Sequence, residues 1–97
     1  MSAGDASARY LLRLYITGST PRSTRAVENL RRICERHLAD RYEIEIIDIY
    51  ADPEAARAGQ VIAAPTLVRV EPEPLRRIIG DLADEDRVVL GLDLPAS

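Results

Sequence analysis

Lysine, tryptophan and phenylalanine are missing from this chain of 97 residues, and cysteine and histidine occur once each, as Cys34 and His37. A lone cysteine forms no internal disulfide and no C-x-x-C pair, which excludes dithiol exchange within the chain. Without lysine there is no Schiff base and no lysine nucleophile. Cys34 and His37 share one helical turn and have no further Cys or His to complete a zinc site, so no metal or other cofactor is expected. On an apolar helix face, His37 reads as a partly buried packing residue. The 13 basic residues are all arginine and face 16 acidic ones, for a net charge of −3, and the four aromatics are all tyrosine. A slightly acidic chain without a basic stripe is not expected to bind nucleic acid. No apolar run approaches the roughly 18–20 residues of a membrane span, and MSAGDASAR has no apolar centre of a signal peptide. A cytoplasmic protein without a membrane partner is the expectation.

Length and patterning suit one domain, residues 9–97, behind a frayed polar tail at 1–8. Tyr10 to Ile16, YLLRLYI, is a strand buried on both faces. Thr20 then offers a helix N-cap, with Pro21 at the first helical position and Ser23 as a second candidate cap. Ala26, Val27, Leu30, Ile33, Cys34, His37 and Leu38 recur at spacings of three and four, with Arg25, Glu28, Arg31, Arg32, Glu35 and Arg36 on the other side. Tyr42 to Tyr50 alternates as a second strand, parallel to the first through a right-handed crossover. Asp52 and Pro53 open a short helix that ends at Gly59. Pro65 precedes a third strand, Thr66 to Val70, and Pro72 to Pro74 breaks the chain.

The loop TGSTPRS between the first strand and helix is the natural place for a nucleophile. Its hydroxyls have no base nearby, because His37 lies about four helical turns away. It also lacks the glycines and lysine of a phosphate loop. No catalytic residue is expected.

From Leu75 the pattern carries two readings. Leu75, Ile78, Ile79 and Leu82 follow helical spacing, yet the paired isoleucines before Gly80-Asp81 suit a short strand. Asp84, Glu85 and Asp86 complement a helix start, followed by Val88, Val89 and Leu92 at helical spacing. Val88, Leu90, Leu92 and Leu94 alternate equally well as a strand.

The stretches LYITGSTPRS, IIDIYADPEAA, AAPTLVRV, RRIIGDL and VVLGLDL together resemble the KaiB family of circadian clock proteins, over Tyr10 to Leu94. The resemblance implies a metamorphic protein: a thioredoxin-like fold, β-α-β-α-β-β-α, and an alternative ground-state fold, tetrameric, with a rearranged C-terminal half. It implies a non-enzymatic regulator whose thioredoxin-like state binds the N-terminal ATPase ring of a KaiC-type hexamer. KaiA-like or SasA-like clock proteins are further implied partners, and a redox or stress-response protein is the competing expectation. Partner contact carries onto the first helix and second strand, hence Arg25, with Glu43 and Glu45 as specificity changes. Pro65, Pro72, Pro74, Gly91 and Asp93 are the fold-switch candidates. The thioredoxin-like arrangement is favoured, because acidic residues 84–86 suit a helix start and Pro65 stands where that fold places its cis-proline. Gly91→Ala is expected to favour it further, since glycine weakens a helix.

Overall fold

The computed structural model describes residues 9–59 and 65–95. The expected tail at 1–8 and the Ala64–Pro65 bond lie outside them. The elements run β1 (Tyr10–Ile16), α1 (Pro21–His37), β2 (Tyr42–Asp48), α2 (Pro53–Ala58), β3 (Thr66–Glu71), β4 (Arg76–Ile79) and α3 (Glu85–Gly91). This is the β-α-β-α-β-β-α order, with the ambiguous tail resolved as strand then helix. The strands form one sheet in the order β2-β1-β3-β4. β1 is parallel to β2 and antiparallel to β3, which is antiparallel to β4.

Local chemistry sets the helix starts. Thr20 caps α1 by accepting from the Ser23 N–H, with Pro21 following, and Asp52 and Asp84 cap α2 and α3 in the same way. β2 ends at Asp48, two residues short of the expected Tyr50, because Asp48 turns its carboxylate onto the loop. Its Oδ1 accepts from the Tyr50 N–H at 2.9 Å and the Gly18 N–H at 3.1 Å.

Alternation along the strands assigns the two faces. Leu12, Leu14, Leu67 and Ile78 share the core with Leu30, Ile33 and Cys34 of α1 and Val88 of α3, closed by Leu92 and Leu94. Each fully buried leucine among them contributes about 2 kcal/mol. The other face presents Arg13, Tyr15, Glu45 and Ile47 beside Ala55, Ala58 and Gly59 at the end of α2.

One core-facing position of β3 is charged. Arg69 pairs with Leu12 in the sheet register and is 3% exposed. Its Nη1 donates to the Leu92 carbonyl and its Nη2 to the Pro74 carbonyl, both at 2.6 Å. The guanidinium therefore ties β3 to the Pro72–Pro74 segment and to the end of α3. Strand patterning did not single it out.

Helix α3 ends in a Schellman arrangement. The Leu94 N–H reaches the Val89 carbonyl at 2.9 Å and the Asp93 N–H reaches Leu90 at 3.3 Å, with Asp93 at φ +54°. Aspartate tolerates this left-handed conformation less well than glycine, and its charge opposes the helix dipole at a C-terminus. Asp93→Gly is expected to stabilise this fold by about 1 kcal/mol, read as a higher urea midpoint with an unchanged slope. A lower midpoint would sink this account of the cap.

Candidate partner-binding surface

In the loop between β1 and α1 the hydroxyls are occupied with one another. Ser23 is fully buried, and its Oγ accepts from the Thr17 N–H at 3.0 Å and the Thr20 hydroxyl at 2.9 Å. This network closes the loop onto the first helical turn. His37, at the far end of the 17-residue helix, is about 20 Å away by helical rise. No general base among the described residues reaches the hydroxyls, so the geometry equips them for capping.

Cys34 is fully buried, and burial pushes its thiol up to about 12. The thiolate is the reactive form, so the folded chain offers no nucleophile there. At about pH 8, an aromatic disulfide reagent is expected to modify Cys34 in the native protein at under roughly 1% of the rate in denaturant. Rapid native modification would restore the redox reading.

The three residues expected to contact a partner do not form one patch. Arg25 leans across α1 toward the loop after β4, with its Nε 3.6 Å from Asp81 Oδ2 and its side chain 56% exposed. Asn29, one turn on, donates to the Asp81 carbonyl at 2.8 Å. Arg25 thus helps hold the β4–α3 loop. Glu43 and Glu45 belong to the opposite edge strand and to the sheet face turned away from α1, as their pairing with Leu11 and Arg13 requires. Glu43 is exposed, while Glu45 accepts from Arg13 Nε at 2.8 Å. That bond, helped by the Tyr15 hydroxyl, raises the Arg13 guanidinium above its ordinary value. Glu45 is therefore presented on this face as half of an ion pair.

The α1 flank that faces β2 is better formed for docking. An open groove of about 380 Å³ runs between the loop and α1, lined by Ile16, Gly18, Val27, Glu28 and Arg31 among others. Tyr50, 74% exposed, stands beside Gly18, and Ile46 is 41% exposed on the β2 edge. Sequence reasoning gave Val27, Arg31 and Tyr50 no partner role, reading Val27 as core stripe, Arg31 as outer helix face and Tyr50 as the end of the second strand.

The fold-switch candidates cluster at the C-terminal half. Pro65 is fully buried at the start of β3, and its carbonyl accepts from Gly80 at 2.9 Å. The Glu71–Pro72 and Glu73–Pro74 bonds are cis. Gly91 is the last residue of α3, and Asp93 lies just beyond its C-cap.

The four-stranded mixed sheet, with α1 and α3 packed on one face and α2 on the other, defines a thioredoxin-like protein whose β1–α1 loop carries no cysteine. The fold overlays the N-terminal domain of SasA from Synechococcus elongatus with a TM-score of 0.72 at 21% identity, covering 89% of this chain and 85% of that one. It overlays mitochondrial thioredoxin 3 from Saccharomyces cerevisiae with a TM-score of 0.70 at 16% identity, covering 93% and 83%. In sequence, the KaiB domain model matches residues 13–94. The circadian clock protein KaiB3 of Synechocystis sp. is 46% identical over 86 residues, 89% of this chain and 84% of that protein. The circadian clock oscillator protein KaiB of Prochlorococcus marinus is 47% identical over 85 residues, 88% and 71% of the two chains. The chain belongs to the KaiB family.

Proposed function

We propose that this protein is a non-enzymatic circadian clock regulator that docks, in its thioredoxin-like state, on the N-terminal ATPase ring of a KaiC-type hexamer. The observation that carries the reading is the family match over residues 13–94 on a thioredoxin-like fold whose only cysteine is buried. The α1 groove with Val27, Glu28 and Arg31, beside the exposed Tyr50 and Ile46, supplies a mixed apolar and charged contact, while Arg25 and Glu43 stand apart from it as separate candidate contacts. SasA-like and KaiA-like clock proteins are the further partners, a tetramer belongs to the alternative fold, and the protein works in the cytoplasm. No helix among the described residues is long and apolar enough to cross a membrane.

The test is co-elution of the full chain with KaiC homologues of the same genome, with and without ATP. A nucleotide-dependent complex is expected, and its absence with every such homologue would sink the reading. Arg31→Glu is expected to slow association at low salt, as reversal of a rim charge does. Arg25→Glu has a second effect through Asp81, so it is compared with Asp81→Ala. If both change binding equally, Arg25 acts by holding the loop.

A further inference from the structure

The sheet ends on β4, and no strand among the described residues covers its outer side. Pairing with β3 fixes which backbone groups are left over. The Gly80 N–H donates to the Pro65 carbonyl, so the facing residues Thr66 and Ile79 form a non-hydrogen-bonded pair. The N–H and C=O of Ile79 therefore turn outward, away from β3, and alternation repeats this at every second residue back along the strand. Such an edge is a template for one more strand.

Its side chains are apolar and basic. Ile78 alone in the strand is buried. Ile79 is 48% exposed and Leu75, just before the strand, is 53% exposed, both by parity on the face turned away from α1. Arg76 belongs to the side of α3. There Arg87 of α3 and Arg22 of α1 line an open groove of about 280 Å³ with Ile78, Ile79 and Val88. Among the described residues, Arg22, Arg76 and Arg87 have no ion pair. Two carboxylates share the groove, and both are engaged within the chain. Asp84 Oδ1 accepts from the Arg87 N–H at 3.2 Å. Asp81 accepts from the Ala83 N–H at 3.1 Å and lies 3.6 Å from Arg25 Nε. Arg77 turns to the other face, with its Nη2 3.4 Å from the Gly59 carbonyl oxygen. Glu71 and Glu73 lie outside β4, at the end of β3 and in the proline segment.

Charge decides what can dock. Antiparallel pairing of two copies of β4 would set the arginines of one against those of the other, which opposes it. We propose that the β4 edge is a docking site for an extended segment of a partner protein in which acidic and apolar residues alternate. Its backbone pairs with β4, its carboxylates lie toward Arg76 and Arg87, and its apolar side chains lie toward Ile79 and Leu75. This edge is separate from the α1 groove, which lies on the flank facing β2.

The probe is a fluorescein-labelled peptide of alternating glutamate and valine, titrated with the full chain at low salt. Saturable binding is expected by anisotropy, weakened at least about tenfold by Arg76→Glu. Arg57→Glu makes the same charge change on α2 and should stay within about twofold. Should Arg76→Glu fail to fold, Arg87→Glu replaces it, with the same loss expected. Bound peptide should also slow amide exchange at Ile79 at least about tenfold, because its N–H gains an acceptor. An equally tight peptide with proline in place of valine, which cannot complete a ladder, would overturn the proposal. So would an Ile79 amide that the peptide leaves unprotected. Self-association of the chain that is abolished by Glu43→Arg would assign the edge to the acidic β2 of a second copy, and would overturn the partner reading.

Discussion

Arg69→Met is expected to lower the unfolding free energy by about 2–3 kcal/mol, with the loss concentrated in the C-terminal half. Each bond from the buried guanidinium to the Leu92 and Pro74 carbonyls is worth about 1.5–3 kcal/mol as a bond to a charged group. Part of that is offset, because methionine removes a buried charge whose Nε has no hydrogen-bond partner. The Leu92 residue is fully buried, so its carbonyl loses the bond with no access to bulk water. Arg69→Lys keeps the charge but replaces a two-pronged donor by a point charge, and an intermediate loss is expected. Urea unfolding gives the totals, and amide exchange locates them: β4 and α3 should open more readily, with β1, α1 and β2 changed little. A uniform loss across all elements would mean that Arg69 supports the sheet as a whole and not the junction of Pro74 with α3.

That junction shows why the first half of the chain was more legible than the second. β1, α1, β2 and α2 are written in short-range signals, namely alternation, a wide apolar stripe and the Thr20, Pro21, Asp52 and Pro53 starts. In the second half the helix and strand periods overlap on Val88 to Leu94, and short apolar runs do not discriminate between them. What separates them in the structure acts at long range: Arg69 reaches 23 residues to Leu92, and His37 reaches 48 to Glu85. Arg69 was invisible for a further reason. Thr66-Leu67-Val68-Arg69-Val70 carries apolar residues at both parities, so only the register with Leu12 and Leu14 turns the arginine inward. The register of β2 on β1 decides the candidate site. It sends Glu43 and Glu45 to the face opposite α1, which separates them from Arg25 although all three lie on the two elements the family resemblance indicated.

Gly59→Ala is expected to cost about 2–3 kcal/mol as an overpacked contact, and Gly91→Ala much less, although both glycines let an element approach a neighbour closely. Gly59 caps α2 at φ −84°, a conformation open to alanine, so the cost is overlap alone. An added Cβ would overlap the Tyr15 hydroxyl oxygen and sit 2.9 Å from its Cζ. Tyr15 is 2% exposed and its ring is rigid, so the ring cannot retreat cheaply. At Gly91 the added Cβ would lie 2.5 Å from Ile78 Cδ1 and 3.0 Å from its Cγ1. The nearer atom is the end of an aliphatic chain, and moving it off its rotamer costs about 0.5–1.5 kcal/mol. That offsets the gain of about 1 kcal/mol from replacing helical glycine, so the advantage expected from sequence is cancelled and the single variant stays within about 1 kcal/mol of the parent. Double-mutant cycles separate the two cases. Tyr15→Phe removes the overlapping oxygen but leaves the ring, and relieves Gly59→Ala only in part. Ile78→Val removes the δ-methyl and keeps the tight Cγ1 contact, and because Gly91 is the last residue of α3, Gly91→Ala should become stabilising in that background by less than about 1 kcal/mol. If Gly91→Ala remains neutral in the Ile78→Val background, the last turn of α3 gains nothing from alanine, and the helix propensity argument falls with it.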